Sequence, residues 1–159
     1  MAFELQPHLK GELLELRPLD TDDWNELFAV ASDSLIWEQH PEPDRYTENV
    51  FRTYFQGALE SGGAFAIIER ESQQIIGSTR FYGYDPEKSE IEIGWTFLAR
   101  KYWGGRYNAE MKKLLLNHAD PSTFECRHDR RDPLPSSTQR VRRSHHPASH
   151  VFEERRSRW

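Results

Sequence analysis

The chain has 159 residues, a single cysteine at Cys126 and a formal net charge of -5 at pH 7, which suits one domain and excludes an intrachain disulfide. No apolar run approaches the ~18 residues of a membrane span, and the first residues lack the basic patch and apolar stretch of a signal peptide. We therefore expect a cytoplasmic protein that does not bind membranes, and the mild acidity does not favour nucleic acid as a partner.

The first part of the chain combines a strand with helical segments. Residues 11–19 alternate apolar and polar side chains as far as Pro18, which is typical of a strand. Residues 24–31 carry apolar side chains at the helical i, i+3, i+4, i+7 spacing, and Asp20 or Thr21 can cap this helix. A short helical turn is expected next, ended by Pro41.

A second helix, a group of strands and a third helix complete the pattern. Thr47 can cap a helix whose apolar face ends at Gly62. Three strands joined by short polar links follow, at residues 64–70, 75–84 and 90–98. The simplest arrangement of these strands is an antiparallel meander. From about Gly105 the spacing of apolar residues predicts a further amphipathic helix, which extends to Ala119.

The segment "RKYWGGRYN" (100–108) lies between the last of these strands and the helix that follows. Unpaired backbone N–H groups at a helix start bind anions, and Gly104 and Gly105 would allow a phosphate group to approach the backbone. Lys101 and Arg106 add positive charge nearby. Because a double glycine before a helix is also common turn chemistry, both interpretations remain open from these residues alone.

The last forty residues differ in composition from the rest. Residues 120–159 hold nine arginines, no lysine and no glycine, with four prolines, and their apolar residues follow no period. We predict a domain over residues 1–119 and a disordered tail over 120–159. This composition also resembles an out-of-frame GC-rich gene, so a shifted reading frame is a hypothesis for the tail. The tail histidines match no usual metal-site spacing, and we predict no bound metal: His128, His145, His146 and His150.

Taken together, the motifs resemble the GNAT superfamily of acetyl-CoA-dependent N-acetyltransferases, and within it the RimJ/RimL-like branch. The resemblance covers about residues 8–119 and rests on the joint order of five segments: "LRPLDTDDW", "WEQHP", "IIGSTRFY", "EIGWTFL" and "YWGGRYNAEMK". It implies an α/β (α+β) fold with a mixed, mostly antiparallel sheet flanked by helices. The tail does not match the family pattern, so the C-terminal part of that fold is expected to be missing.

The resemblance also implies a function and its partners. The function is direct transfer of an acetyl group from acetyl-CoA, a co-substrate, to a primary amine of a protein N-terminus or a small molecule. The alternative is an inactive, truncated or frameshifted fragment with at most weak CoA binding. The sequence does not indicate which amine is acetylated or whether the protein forms oligomers.

Site residues follow from the same resemblance. Pantetheine would meet the backbone of four consecutive residues: Trp95, Thr96, Phe97 and Leu98. The CoA pyrophosphate would bind the glycine loop and helix start: Lys101, Trp103, Gly104, Gly105, Arg106, Tyr107 and Asn108. Glu92 corresponds to the position of a base that acts directly or through water. The acceptor side would be lined by three residues: Trp37, His40 and Tyr82.

Alternatives remain for several of these residues. The family has Gln or Arg where this chain has Lys101, and it prefers Gly or Ala where this chain has Arg106. The side chains of Trp95 and Phe97 can equally belong to ordinary packing, and the three acceptor-side residues can serve core or loop packing. Glu92 can be a solvated or ion-paired carboxylate. The acidity of the domain is weakly consistent with an amine-bearing substrate.

Overall fold

The computed structural model describes residues 3–88, 90–119, 139–142 and 153–154. The helices are α1 (Trp24–Ala31), α2 (Ser34–Trp37), α3 (Glu48–Ser61) and α4 (Arg106–Ala119). The strands are β1 (Leu9–Lys10), β2 (Leu14–Pro18), β3 (Ala64–Glu69), β4 (Ile75–Asp85), β5 (Glu90–Leu98), β6 (Gln139–Arg142) and β7 (Glu153–Glu154). In these ranges no helix combines the length and the apolar character that crossing a membrane requires.

The strands form one sheet in the order β1-β2-β3-β4-β5-β6-β7. Each neighbouring pair is antiparallel. The predicted α/β (α+β) class and the antiparallel meander of β3, β4 and β5 are therefore confirmed. The resemblance implied a sheet with both parallel and antiparallel pairs. Among the described strands every pair is antiparallel, including β5 with its neighbour β6.

Two short strands lie in the segment that differs in composition. β6 extends the sheet beyond β5, with Ile93 opposite Gln139, and β7 pairs with β6. Most of residues 120–159, including the four tail histidines, lies outside the described residues. The boundary near residue 119, the disorder of the tail and the shifted reading frame therefore stay predictions.

Local signals account for the starts and ends of the first helices. The Asp20 side chain accepts a hydrogen bond from the backbone N–H of Asp22, and Asp23 completes a capping box before α1. Helix α3 follows Thr47, but the Thr47 hydroxyl donates to the Asp44 carbonyl at 2.8 Å and does not cap the helix, so the predicted side-chain cap is wrong. The helix ends at Gly62, whose φ of 67° is left-handed. Such a conformation at a helix end favours glycine, as the sequence predicted.

The sheet carries an apolar cluster on each face. One cluster joins the sheet to α4 and includes Leu16, Phe81 and Met111. The other joins the sheet to α1, α2 and α3, with residues such as Leu27, Phe51 and Phe97. The ring of Trp103, just before the glycine loop, packs against both clusters. The loop is thus attached to both layers of the core.

Helix α4 is also fixed to the sheet by the carboxylate of Glu110. Glu110 accepts hydrogen bonds from the backbone N–H groups of Glu12, Leu13 and Leu14, at 2.8, 2.9 and 2.9 Å. A Cβ on Gly11 would lie 2.6 Å from the Glu110 Cδ atom, so a side chain there would displace this carboxylate from its position. The contact holds the helix that follows the glycine loop against the start of β2.

Candidate functional site

A β-bulge interrupts β5 at Trp95. Ser78 pairs with Phe97 and Arg80 with Gly94, so the two residues between Gly94 and Phe97 face only one residue of β4. Trp95 adopts a φ of 55°, which is rare and costly for a bulky side chain. The strand therefore changes direction here, and on its other edge the described pairing with β6 extends only as far as Ile93.

Side chains from neighbouring elements hold this bulge in place. The Tyr54 hydroxyl of α3 donates a hydrogen bond to the Trp95 carbonyl oxygen. The hydroxyl groups of Thr79 and Thr96 are buried and hydrogen-bonded to each other at 2.9 Å. The unfavourable conformation of Trp95 is thus offset by bonds from α3 and β4.

The predicted pantetheine segment differs in exposure from one residue to the next. Trp95 is 43% exposed, whereas Thr96, Phe97 and Leu98 are buried. The Phe97 ring packs against the ring of Trp37, with 5.0 Å between centroids. The Phe97 side chain therefore belongs to the core, which was one of the two open interpretations, and a ligand at this segment would meet its backbone.

The glycine loop connects β5 to α4 through a short 3-10 turn at Arg100–Tyr102. Gly104 and Gly105 have φ values of 114° and 108°, which L-amino acids rarely adopt. Both are exposed, and a Cβ added to either would meet no other atom within 4 Å. Lys101 is exposed beside the loop, and the Trp103 indole N–H donates to the Leu98 carbonyl at 2.9 Å.

The three remaining predicted phosphate-side residues form the start of α4. Arg106 is the first helical residue and is exposed, and the space beside Gly104 is open, so Arg106 does not fill it. The Tyr107 ring meets the Tyr102 ring edge-on at 4.8 Å. The Asn108 Oδ1 atom is buried and has no hydrogen-bond partner among the described residues. The helix start and its unpaired N–H groups can therefore receive an anion.

Glu92 and Tyr82 lie directly opposite each other on β5 and β4, and both are half-buried. Arg80 lies opposite Gly94, two residues further along the same pair of strands. Because side chains alternate along a strand, Glu92, Tyr82 and Arg80 share one face of the sheet. The structure thus brings the candidate base and one candidate acceptor-side residue together, next to the bulge.

The other two predicted acceptor-side residues differ in their environment. Trp37 is buried, and its indole N–H donates to the Ala31 carbonyl at 2.7 Å, so its ring belongs to the core. His40 is half-buried with its ring centroid 5.0 Å from that of Trp37. Burial and then the nearby Arg45 guanidinium lower the pKa of His40, so its imidazole is neutral at pH 7.

Comparison with known proteins gives the family. A family model described as "Acetyltransferase (GNAT) domain" matches residues 14–151. The chain belongs to the GNAT acetyltransferase family. The match extends past residue 119, so the family signal includes part of the segment whose composition differs from the rest of this GNAT domain.

The relatives of this GNAT domain are distant. It is similar to an uncharacterised N-acetyltransferase of Bacillus subtilis, YnaD, with 26% identity over 111 residues. That alignment covers 70% of this chain and 64% of the relative, so the chain spans a little under two thirds of that protein's length.

Two solved structures are similar in fold. A GNAT-family acetyltransferase from Bacillus anthracis has a TM-score of 0.59 and 25% identity, over 70% of this chain and 65% of that chain. A GCN5-related N-acetyltransferase from Brucella melitensis has a TM-score of 0.64 and 22% identity, over 74% and 56% of the two chains. At that identity the second comparison supports the fold alone.

Two arginines that the sequence did not identify as site residues lie beside the bulge of this GNAT domain. Arg80 is only 6% exposed, and its guanidinium carbon lies 4.3 Å from the centroid of the Trp95 ring and 5.4 Å from that of Tyr54. The Arg45 guanidinium carbon lies 5.3 Å from both of these centroids. An arginine within the apolar strand segment "IIGSTRFY" was the available sequence signal, because strand interiors seldom hold a charged residue without a partner.

Proposed function

We propose that this GNAT domain transfers an acetyl group from acetyl-CoA directly to a primary amine. The proposal rests on one observation: the bulge at Trp95 leads, along the same strand, to the open glycine loop at the start of α4. A strand edge offers hydrogen bonds to amide groups, and a helix start binds phosphate. Acetyl-CoA has both parts, an amide-containing arm and a pyrophosphate, joined in one molecule.

In this proposal the acetyl-CoA site has two regions. Pantetheine pairs with the backbone of residues 95–98 on the edge that faces away from β4. The pyrophosphate binds the N–H groups that follow Gly104 and Gly105, with Lys101 and Arg106 supplying positive charge. Trp103 fixes the position of the loop through its bond to the Leu98 carbonyl, while Tyr107 and Asn108 belong to the first turn of the binding helix.

The chemistry requires a neutral amine and a stabilised oxyanion. Glu92 removes the proton from the amine, directly or through a water molecule. The amine nitrogen then attacks the thioester carbon and the C–S bond breaks. CoA leaves as a thiolate, which takes up the proton that the nitrogen loses as the amide forms. Backbone N–H groups at the bulge would stabilise the negative carbonyl oxygen of the tetrahedral intermediate. No covalent intermediate with the protein is needed.

The acceptor would approach from the face that carries Glu92 and Tyr82. Tyr82 lies directly across from Glu92 and can orient the amine beside it. His40, neutral at pH 7, would line the outer part of this region. Trp37 would support it from the core, since the indole N–H is already bonded to Ala31.

The test measures acetyl-CoA binding by isothermal titration calorimetry and CoA release with a panel of primary amines. We expect saturable turnover, and Glu92→Gln should lower kcat by about 10²–10⁴-fold while acetyl-CoA affinity stays the same. The matched control is Glu90→Gln, two residues away on the same strand face. Failure to bind acetyl-CoA would refute the proposal, and equal losses in the two variants would refute the role of Glu92.

A second candidate is a fragment that binds acetyl-CoA weakly and does not turn it over. It is favoured by the change of composition after residue 119, since residues 120–159 hold nine arginines but no lysine and no glycine. Acetyl-CoA binding without CoA release from any amine would support this candidate. Resequencing the gene from about codon 105 tests the frameshift hypothesis, because a restored frame should encode an apolar strand after residue 119.

A further inference from the structure

Two guanidinium groups share the same pair of aromatic rings next to the bulge. Arg80 and Arg45 both lie within 5.4 Å of the Tyr54 and Trp95 ring centroids, and Arg45 is also 5.6 Å from that of Trp37. Arg45 is only 12% exposed at its side chain and forms an ion pair with the exposed Glu42 at 3.1 Å. The cluster therefore concentrates two largely buried positive charges in a chain that is acidic as a whole.

Arg80 has guanidinium N–H donors that meet no acceptor among the described residues. The Nε and Nη2 atoms of Arg80 are buried and have no hydrogen-bond partner among the described residues. A buried donor without a partner costs about 1–3 kcal/mol, and more when it is charged. Burial lowers the pKa of Arg80, and the like charge of Arg45 lowers it further. Ring faces offset part of this cost, but they supply no hydrogen-bond acceptor for Nε and Nη2. An anion that accepts hydrogen bonds from Nε and Nη2 would satisfy these donors and offset the two positive charges.

The position of the cluster separates it from the glycine loop. Arg80 lies opposite Gly94, before the bulge, whereas the loop begins after β5 has ended at Leu98. The strand between these two points spans roughly 13 Å at the usual rise per residue. The cluster shares its sheet face with Glu92, the proposed base, and so lies at the acceptor end of the site.

The surroundings favour a planar anion with a single charge. Arginine presents a planar fork of donors that binds a carboxylate through two parallel hydrogen bonds. The flanking Tyr54 and Trp95 rings suit a flat group. A phosphate dianion would carry twice the negative charge on the face that already holds Glu92.

We propose that Arg80, assisted by Arg45, binds a carboxylate of the acceptor, so that the acetylated amine belongs to an amino acid. This inference rests on the proposed acetyl transfer and narrows its substrate from primary amines in general to amines that carry a carboxylate. Arg80 holds the carboxylate by its Nε and Nη2 donors, Arg45 covers it from the outer side, and the amine points towards Glu92. Polyamines, which lack a carboxylate, would offer no acceptor to the Nε and Nη2 donors of Arg80.

The decisive experiment is a binding measurement that needs no turnover. The probes are the N-acetyl derivatives of glycine, β-alanine and γ-aminobutyrate, each compared with its carboxamide. The three compounds place the carboxylate one, two or three carbons from the nitrogen. Isothermal titration calorimetry with the full chain should give at least one carboxylate that binds about 10-fold or more tightly than its amide, the loss expected for a charged hydrogen bond. Arg80→Gln should abolish that preference, and Arg45→Gln should reduce it.

Two further variants separate binding from folding. Arg52→Gln is the matched control, because Arg52 also lies over a tryptophan, 4.8 Å from the Trp24 ring centroid, and pairs with Glu48 on the exposed side of α3. It should keep the full preference. Arg80→Lys keeps the charge without the planar fork and should retain part of the affinity. Circular dichroism melting of each variant shows whether the protein is folded at the temperature of titration.

Each outcome decides for or against the carboxylate site. Equal binding of the carboxylates and amides, no binding of either, or a preference that survives in Arg80→Gln would overturn it. Tighter binding of inorganic phosphate than of every carboxylate would overturn it in favour of a phosphorylated ligand. If acetyl-CoA fails to bind but the carboxylate preference is present and depends on Arg80, acetyl transfer is refuted and the anion site stands.

Discussion

Replacement of Glu110 by alanine tests how the candidate phosphate-binding helix is attached to the sheet. The carboxylate accepts three backbone hydrogen bonds, from Glu12, Leu13 and Leu14, at 2.8–2.9 Å. The bond from Glu12 is exposed, so water can replace the carboxylate there, whereas the N–H groups of Leu13 and Leu14 are partly buried. At about 1.5 kcal/mol for each of these two charged hydrogen bonds, Glu110→Ala should lower the free energy of unfolding by about 3 kcal/mol.

The assay is urea unfolding followed by circular dichroism. With an m value of about 1–3 kcal/mol/M, the transition midpoint should fall by about 1–3 M. Glu110→Gln keeps one acceptor oxygen without the charge and should lose about half as much. The matched control is Glu60→Ala near the end of α3. The Glu60 carboxylate is exposed and accepts a hydrogen bond from the Gln56 side chain at 2.9 Å. That change should stay within about 0.5 kcal/mol of the wild type.

Gly11 extends the same test to a pair of positions. A methyl group at Gly11 would meet Glu110 at 2.6 Å, so Gly11→Ala alone should be destabilising. In the Glu110→Ala background the space is open, and Gly11→Ala should cost less, which gives a coupling free energy between the two positions. The reasoning is refuted if Glu110→Ala unfolds with the wild-type midpoint, or if the two changes are simply additive.

Three other predictions concern the loop, the histidine and the bulge. Gly104→Ala should cost about 1–3 kcal/mol in urea unfolding, because its φ of 114° is strained for alanine although a Cβ would meet no atom; an unchanged midpoint would contradict this. In an NMR titration the pKa of His40 should lie below 6.5, and Arg45→Gln should restore only part of the shift, since burial is the larger cause. The unfolded chain then binds more protons than the native chain just below pH 6.5, so stability should rise with pH through that window, and a pKa at or above 6.5 would refute the assignment. Tyr54→Phe removes the donor to the Trp95 carbonyl and should cost about 1–2 kcal/mol, and a variant as stable as the wild type would show that the bulge does not need this bond.

The helices and the order of strands could be predicted because their signals are local. The apolar spacing over residues 24–31, the cap at Asp20 and the left-handed end at Gly62 each depend on a few neighbouring residues. The polar links between β3, β4 and β5 are short enough to require hairpins. The glycine loop was also visible in the residues themselves, and both glycines have positive φ values. The family resemblance added its role in pyrophosphate binding, which stays a prediction.

The bulge could not be predicted from the residues that form it. Tryptophan suits a regular strand, and nothing in "EIGWTFL" indicates a left-handed residue. The compensating bond comes from Tyr54, 41 residues earlier in the chain. In a regular strand Trp95 and Phe97 would lie on one face. The bulge instead leaves Trp95 43% exposed and Phe97 fully buried.

Long sequence separation also concealed the roles of the charged residues. Glu110 lies on the polar side of a helical pattern, yet its partners are 96–98 residues away. Arg80 lies in an otherwise apolar strand, and its ring neighbours come from α3 and from the bulge. Net charge says nothing about such local arrangements, so the sequence did not indicate the two arginines that contacts between distant segments bring together.

The anchoring of Trp103 bears on the thermodynamics of any ligand at the loop. Trp103 packs against both apolar clusters. The two glycines that follow are exposed, and a Cβ added to either would meet no atom within 4 Å. Any ordering of the backbone on binding would fall on Gly104 and Gly105, because Trp103 is packed against the core and α4 is bonded to the start of β2 through Glu110. Ordering two residues costs about 1–2 kcal/mol each in backbone entropy. Binding at this loop should therefore carry a small, localised entropic penalty, and the remainder of the domain should keep its order unchanged.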